Sequence, residues 1–279
     1  MLSKLFKGSL LSAGLAGAMC LTAPKAVAED AAINNGAIAF SFSVDVTTNY
    51  FFRGFEQEDG GLIIQPGFGA STEVAEGIVV YVGTWQSIHG AQTGEDGAGP
   101  GAWYESDFYT GVTLDLIENL TFDVSYVLYM YPSGSLDEIH ELDLFAGYDA
   151  SSLLEGLGFG VLVAIEVENE NGDDLTYGEL SAEWGTDIVE GGDYPVSLAL
   201  AAILGLGLDD YFGDEFFGFI QFNVGASTPL TFIPADYGAW EAAATLSFII
   251  LNDDDDAGLE DLAGDSFAVF FTFGVAAEY

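Results

Sequence analysis

The chain has 279 residues, half of them hydrophobic, and sets 45 acidic side chains against 4 basic ones for a net charge of −41. So few bases cannot neutralise a run of phosphates, which excludes nucleic acid and anionic polymers as partners. The wealth of Phe, Tyr, Leu and Val likewise excludes a disordered acidic chain.

The N-terminal segment reads as a secretory signal peptide over residues 1–28. Lys4 and Lys7 form a positive n-region, Gly8 to Leu21 an apolar run, and Ala26-Val27-Ala28 an A-x-A site, so cleavage is expected near Ala28. Cys20 lies inside the apolar run, and Met19 before it is a poor fit to the small residue of a lipoprotein site. Its removal with the leader leaves no cysteine for a disulfide, thiol chemistry or metal ligation, and leaves Arg53 as the single strong base. Residues 29–37 read as a short periplasmic lead-in. No window beyond them supplies the roughly 18 apolar residues of a membrane-crossing helix. A membrane chain without helices must close its backbone hydrogen bonds as a barrel.

From residue 38 the pattern has period two. Ile38, Phe40, Phe42, Val44, Val46, Thr48, Tyr50 and Phe52 alternate with residues 39 to 53, which predicts a strand over 38–53 with an apolar and a polar face. A turn through Glu56 to Gly61 leads to a return strand marked by Ile64, Phe68, Ala70, Thr72 and Val74. Further strands are expected near 78–88, 103–116, 120–131, 139–148, 158–168, 176–188, 196–207, 216–227, 240–251 and 266–279. The total is about twelve, the even number that single-chain bacterial barrels require. The last strand places Phe267, Val269, Phe271, Phe273 and Val275 on one face and ends on Tyr279. Tight turns at 75–77 and 117–119 alternate with longer connections at 56–59, 89–102, 169–174, 209–214 and 252–265, the asymmetry of periplasmic turns and external loops. Tyr50, Trp103, Tyr104, Tyr131, Tyr148, Tyr194, Tyr211, Trp240 and Tyr279 fall near strand ends, as aromatic girdles would.

The run Thr48-Asn49-Tyr50-Phe51-Phe52-Arg53-Gly54-Phe55-Glu56-Gln57-Glu58-Asp59-Gly60 resembles the opening motif of the TorF-type porins, a family of largely uncharacterised outer-membrane proteins. Tyr81 to Ser87, Glu105 to Gly111, Tyr126, Tyr129, Tyr131-Pro132 and Glu141 to Tyr148 continue the similarity. It is good over the first half and reduces to strand rhythm in the second. The acidic excess and near absence of lysine depart from the family pattern. The resemblance implies an outer-membrane barrel with a porin role and no defined substrate.

If the apolar face meets lipid, parity turns Asp45, Glu105, Asp107, Asp115, Asp123, Glu141, Asp143, Glu166, Glu168, Glu179, Glu183 and Glu241 inward to line the lumen. An acidic wall in a confined tube attracts cations and repels anions. Arg53 shares that inward face. As the only arginine among carboxylates it is expected to brace the outer end of the first strand by bidentate pairing, or to act as a lone positive selectivity point. The pairs Asp173-Asp174 and Asp209-Asp210 and the run Asp253-Asp254-Asp255-Asp256 could hold Ca²⁺ or Mg²⁺ weakly. They lack EF-hand spacing and read equally as solvated loop acids. His89 and His140 lack hydrolase or metalloprotease context, Ser87 with His89 is a spacing any loop produces, and no enzyme is expected.

The sequence thus predicts residues 38–279 as one all-β, transmembrane, antiparallel up-and-down barrel of about twelve strands, exported to the bacterial outer membrane. Its C-terminal strand would engage the barrel-assembly machinery, and outer-membrane lipid, small solutes and cations are its other expected partners. The expected role is a passive, cation-preferring diffusion channel. The alternative is a non-conducting structural or divalent-cation-binding barrel. Inward Gly67, Gly69, Gly83, Gly111 and Gly147 would leave a path. Phe51, Tyr81, Trp85, Tyr109, Tyr129 and Phe145 converging across the lumen would close it.

Overall fold

Strands with one apolar face cannot leave their edges or that face in water, and closing the sheet on itself settles the edges. The computed structural model describes residues 38–90, 102–168, 175–191, 194–254, 257, 259 and 264–279. The expected signal peptide and lead-in lie outside these residues. In chain order the strands are β1 (Ala39–Thr47), β2 (Tyr50–Phe52), β3 (Phe55–Glu58), β4 (Ile63–Ala75), β5 (Ile78–His89), β6 (Trp103–Ile117), β7 (Leu120–Met130) and β8 (Ile139–Asp149). They continue as β9 (Leu157–Glu168), β10 (Thr176–Val189), β11 (Val196–Asp209), β12 (Tyr211–Asp214), β13 (Phe217–Pro229), β14 (Ala239–Leu251) and β15 (Phe267–Glu278). All but β2, β3 and β12 form one closed barrel of twelve antiparallel strands in chain order. β1 meets β15 at the seam from Ser41↔Glu278 to Thr47↔Thr272.

The all-β up-and-down barrel read from the sequence is therefore the fold, and its strand ends agree within two residues everywhere except at β1. There the expected strand over 38–53 stops at Thr47, where the pairing with β4 ends at Ile63. Thr47 Oγ1 donates to the Asn49 carbonyl at 2.9 Å, turning the chain out of the ladder. Beyond this turn β2 and β3 pair with each other as a separate hairpin. A second correction concerns 209–214, expected as an external loop. Asp209 ends β11, and β12 carries Tyr211 and Phe212 into the interior, both buried.

The side-chain alternation sorts outside from inside. On β15, Phe267, Val269, Phe271 and Phe273 are 45–52 % exposed, while Ala268 and Phe270 are 9 % and 6 % exposed. On β7, Phe122, Val124 and Tyr126 face out while Asp123, Ser125 and Val127 are buried. Large apolar side chains stand exposed on all twelve barrel strands. A surface of this kind in water would forfeit about 25 cal/mol for each Å² left uncovered, so its proper solvent is hydrocarbon. Trp103, Tyr148, Tyr194 and Tyr279 are exposed near strand ends, as girdle residues would be. Tyr50 and Tyr211 instead belong to the interior because β2 and β12 turn inward, and Tyr104 is buried on the inward side of β6.

Val124 lies at the middle of β7 on the exposed face. Val124→Arg is expected to lower the unfolding free energy in lipid vesicles by about 2–4 kcal/mol, as a charge at the bilayer midplane does. Urea unfolding of the refolded variant measures it, and a change within about 0.5 kcal/mol would mean this face does not meet hydrocarbon.

Candidate functional site

The β2–β3 hairpin exists because Arg53 and Gly54 both adopt positive φ, 49° and 91°. Successive left-handed residues make the two-residue turn whose twist matches a hairpin, here between the paired Phe52 and Phe55. Gly54 is required twice over, since a Cβ there would also lie 2.8 Å from the Phe219 ring on β13. The hairpin folds into the barrel and touches its wall on several sides. Tyr50 packs on Trp85 of β5, Phe52 on Tyr129 of β7, Phe51 on Phe270 of β15, and Phe55 on Tyr211 and Phe212 of β12. Ring centroids in these pairs are 5.4–6.2 Å apart, the range of favourable aromatic contacts.

At the hairpin tip Arg53 is 6 % exposed and forks onto Glu141 of β8, with Nη1 to Oε2 at 2.5 Å and Nη2 to Oε1 at 2.8 Å. Asp143 Oδ1 lies 3.9 Å from Nη2. The guanidinium also sits 4.6 Å over the Tyr177 ring and 4.9 Å over Phe52. Burial works against the Arg53 charge, and the carboxylate of Glu141 more than offsets it, holding the guanidinium above its ordinary range. Bidentate pairing was expected of this residue. An inward position was expected as well, but at the outer end of the first strand and not at the turn of a separate hairpin.

Tyrosine hydroxyls also serve several inward carboxylates. Tyr50 donates to Glu105 at 2.8 Å, Tyr129 to Glu141 at 2.8 Å, Tyr81 to Asp123 at 2.7 Å and Tyr177 to Glu179 at 3.0 Å. Asp107 and Asp143 differ from these. They are 0 % and 3 % exposed, and none of their carboxylate oxygens has a hydrogen-bond partner among the described residues. Around β6 and β8 the structure brings together Arg53, Glu105, Asp107, Glu141 and Asp143, and Glu166 stands opposite Glu141 on β9. Asp45 on β1 and Glu183 on β10 lie apart from this group, half-buried, and Glu179 is half-buried beneath Tyr177.

A second contact on the hairpin has the form of a hydrolytic relay. Ser87 Oγ is 2.9 Å from His89 Nε2, and His89 Nδ1 is 3.4 Å from Glu58 Oε2. Nucleophilic catalysis also needs room for an acyl group beside the serine and donors for its oxyanion. Ser87 is fully buried, its Oγ already accepts from Gln65 Nε2 at 3.3 Å, and Tyr104 stacks on His89 at 4.5 Å. The contact holds β3 to β5 and has no place for a substrate.

The glycine and aromatic sets that were to distinguish an open lumen from a closed one prove to be partners. The Tyr109 ring lies where a Cβ of Gly83 would be, 2.2 Å away, and Tyr81 does the same to Gly111 at 2.4 Å. These rings lie flat on the wall instead of crossing the lumen. Phe51 of the hairpin is buried, as are Trp85, Tyr129 and Phe145 on the wall. Between the hairpin and the loop joining β7 to β8 remains a cavity of about 450 Å³, walled by Phe52, Phe55, Tyr104, Tyr131, Tyr211 and Glu166 among others.

Of the loop acids, Asp209, Asp210, Asp253 and Asp254 are exposed, and among the described residues no three Asp, Glu or His side chains gather closely enough to hold a metal. Asp173, Asp174, Asp255 and Asp256 lie outside the described residues. The sequence reading missed Glu58, Phe52, Phe55 and the inward role of Tyr50 and Tyr211. Two signals were present. Three consecutive aromatics at 50–52 break the period of two, and Gly54 between aromatic flanks is a residue that a two-residue turn can use.

Fold and site define a membrane-spanning barrel with an inward-folded hairpin. Residues 31–179 match Gcw_chp, a bacterial protein family of unknown function, and the chain belongs to that family. No curated protein matches the sequence. Among solved structures, the KdgM porin is 10% identical, with 85% of this chain and 98% of that one covered and a TM-score of 0.47. The COG4313 outer membrane channel from Pseudomonas putida F1 is 11% identical over 88% and 96% of the two chains, with a TM-score of 0.48. The NanC porin is 9% identical over 85% and 98%, with a TM-score of 0.45.

Arg53→Ala leaves Glu141 buried without its counter-charge and is expected to cost about 3–5 kcal/mol of stability. Adding Glu141→Ala to it is expected to cost less than the sum of the two single changes, as coupled partners do. Urea unfolding of the four proteins measures the coupling, and strict additivity would mean the pair does not anchor the hairpin.

Proposed function

We propose that the protein is an outer-membrane channel of the porin type, passing small solutes and preferring cations, with the β2–β3 hairpin as its narrowest section. The observation that carries this reading is the interior wall away from the hairpin. There Gly67, Gly83 and Gly111 face the lumen, Tyr81 and Tyr109 lie flat against the wall, and Asp45, Asp123, Glu183 and Glu241 bring negative charge. The one strong base beyond residue 28, Arg53, is spent on Glu141. A low-dielectric tube with that balance concentrates cations and excludes anions. The leader, the aromatic C-terminal strand and the TorF-type motif at Thr48 to Gly60 support outer-membrane placement.

A second reading, a non-conducting structural barrel, is favoured by one specific observation. Phe51, Phe55, Phe212, Phe219 and Phe270 pack with the hairpin into a continuous core inside the barrel. On this reading the external acids Asp209, Asp210, Asp253 and Asp254, with Asp173, Asp174, Asp255 and Asp256, would meet Ca²⁺ or Mg²⁺ at the cell surface.

The test is conductance across a planar bilayer under a KCl gradient, for the refolded protein and for a variant with residues 50–58 replaced by a Gly-Ser linker. The channel reading expects a reversal potential favouring K⁺ over Cl⁻ in the variant, with smaller or rarer openings in the parent. Openings without that bias would overturn the charge argument. Silence from both proteins, each shown folded by heat-modifiable mobility, would establish the structural barrel.

A further inference from the structure

We propose that the cavity between the hairpin and the β7–β8 loop binds a small organic cation, an amine or quaternary ammonium group on an apolar body. The site does not require that the barrel conduct, since a closed barrel would present the same cavity. At about 450 Å³ it lies within the range of small-molecule pockets. Its wall is dominated by rings from four separate segments. Phe52 and Phe55 come from the hairpin, Tyr104 from β6, Tyr131 from beyond β7 and Tyr211 from β12. Tyr104 and Tyr131 meet edge to face at 5.7 Å, and Phe55 and Tyr211 at 6.2 Å, so the rings fix one another.

Three alternatives fit the wall less well. An anion would find no base there, since Arg53 is forked onto Glu141 behind the rings. A neutral sugar needs several donors and acceptors, and the polar lining is Gln57, Ser135, Glu166 and the tyrosine hydroxyls. Gln57 is committed at both ends, accepting from Tyr104 Oη at 2.5 Å and donating to the Phe55 carbonyl at 3.2 Å. A bare metal ion needs clustered oxygen ligands, and no three acids gather among the described residues. An organic cation uses what is present. Ring faces attract positive charge. Phe52 and Tyr211 already receive a cation in this way, with Arg53 Cζ 4.9 Å and 5.8 Å from their centroids. Glu166, buried in the wall, supplies the formal counter-charge.

The experiment is calorimetric titration of the refolded protein in detergent with benzyltrimethylammonium chloride. Benzyl alcohol, maltotriose and benzenesulfonate serve as neutral, sugar and anionic comparisons. Saturable binding of the ammonium alone is expected. Glu166→Gln should weaken it by about ten-fold or more, and Tyr131→Leu, which keeps an apolar side chain and loses the ring face, by about three- to ten-fold. Tyr131→Leu also serves if Glu166→Gln does not fold. No saturable heat from folded protein, equal binding of benzyl alcohol or maltotriose, or affinity indifferent to the variants that fold would overturn the assignment. None of these outcomes depends on conductance, so failure here leaves the channel reading standing, and the reverse holds as well.

Discussion

An interior rich in carboxylates and served by a single guanidinium has few ways to hold itself together, and the Arg53–Glu141 fork is the one that organises the rest. A charge buried this deeply persists only when it is paired and geometrically satisfied. Because Arg53 sits at the tip of a hairpin rooted between β1 and β4, satisfying it draws the whole hairpin across the lumen to β8. The rings flanking the arginine then fill the space it opens, and the Glu58–His89 contact secures the other leg. Tyrosine hydroxyls take over where bases run out. Tyr50, Tyr81, Tyr129 and Tyr177 each bond an inward carboxylate, so the acidic wall is held by neutral donors.

The barrel was legible in the sequence because a lipid-facing strand announces itself. Phe267, Val269, Phe271 and Phe273 on alternate positions leave little freedom in register, since a one-residue slip would turn each of them inward. The same rule misled at the first strand. Alternation runs on formally through Tyr50 and Phe52, yet Phe51 between them is also aromatic, and a face cannot be lipid-exposed on both sides. The chemistry of Arg53 was legible in kind, a bidentate pair with a carboxylate, but not in place. Its partner lies 88 residues along the chain, a separation no local pattern encodes. Tyr211 and Phe212 were hidden for another reason, since the acids around them resemble a solvated loop.

Ring-on-glycine packing resolves what composition left open. Glycine and aromatic residues on an inward face look like rival designs, one for a path and one for a plug. In the structure several large rings on the wall lie over a glycine of the next strand, as Tyr109 does over Gly83 and Phe219 over Gly205. The lumen is therefore divided along its length. One part is a smooth acidic wall, and the other a packed aromatic layer with a cavity above it.

That division has a biochemical consequence. Beyond Lys25 the chain holds one lysine-or-arginine residue, so a protease that cuts only after basic residues has a single bond to attack, Arg53–Gly54. In the folded protein that bond is the tip of the inward hairpin, with its guanidinium clasped by Glu141. Whenever the hairpin leaves the lumen the bond becomes reachable. Trypsin would then divide the chain into a short piece ending at Arg53, which carries β1, and a piece beginning at Gly54, which carries the other eleven barrel strands. The rate of that one cut is a readout of hairpin position, built into the sequence by its scarcity of positive charge.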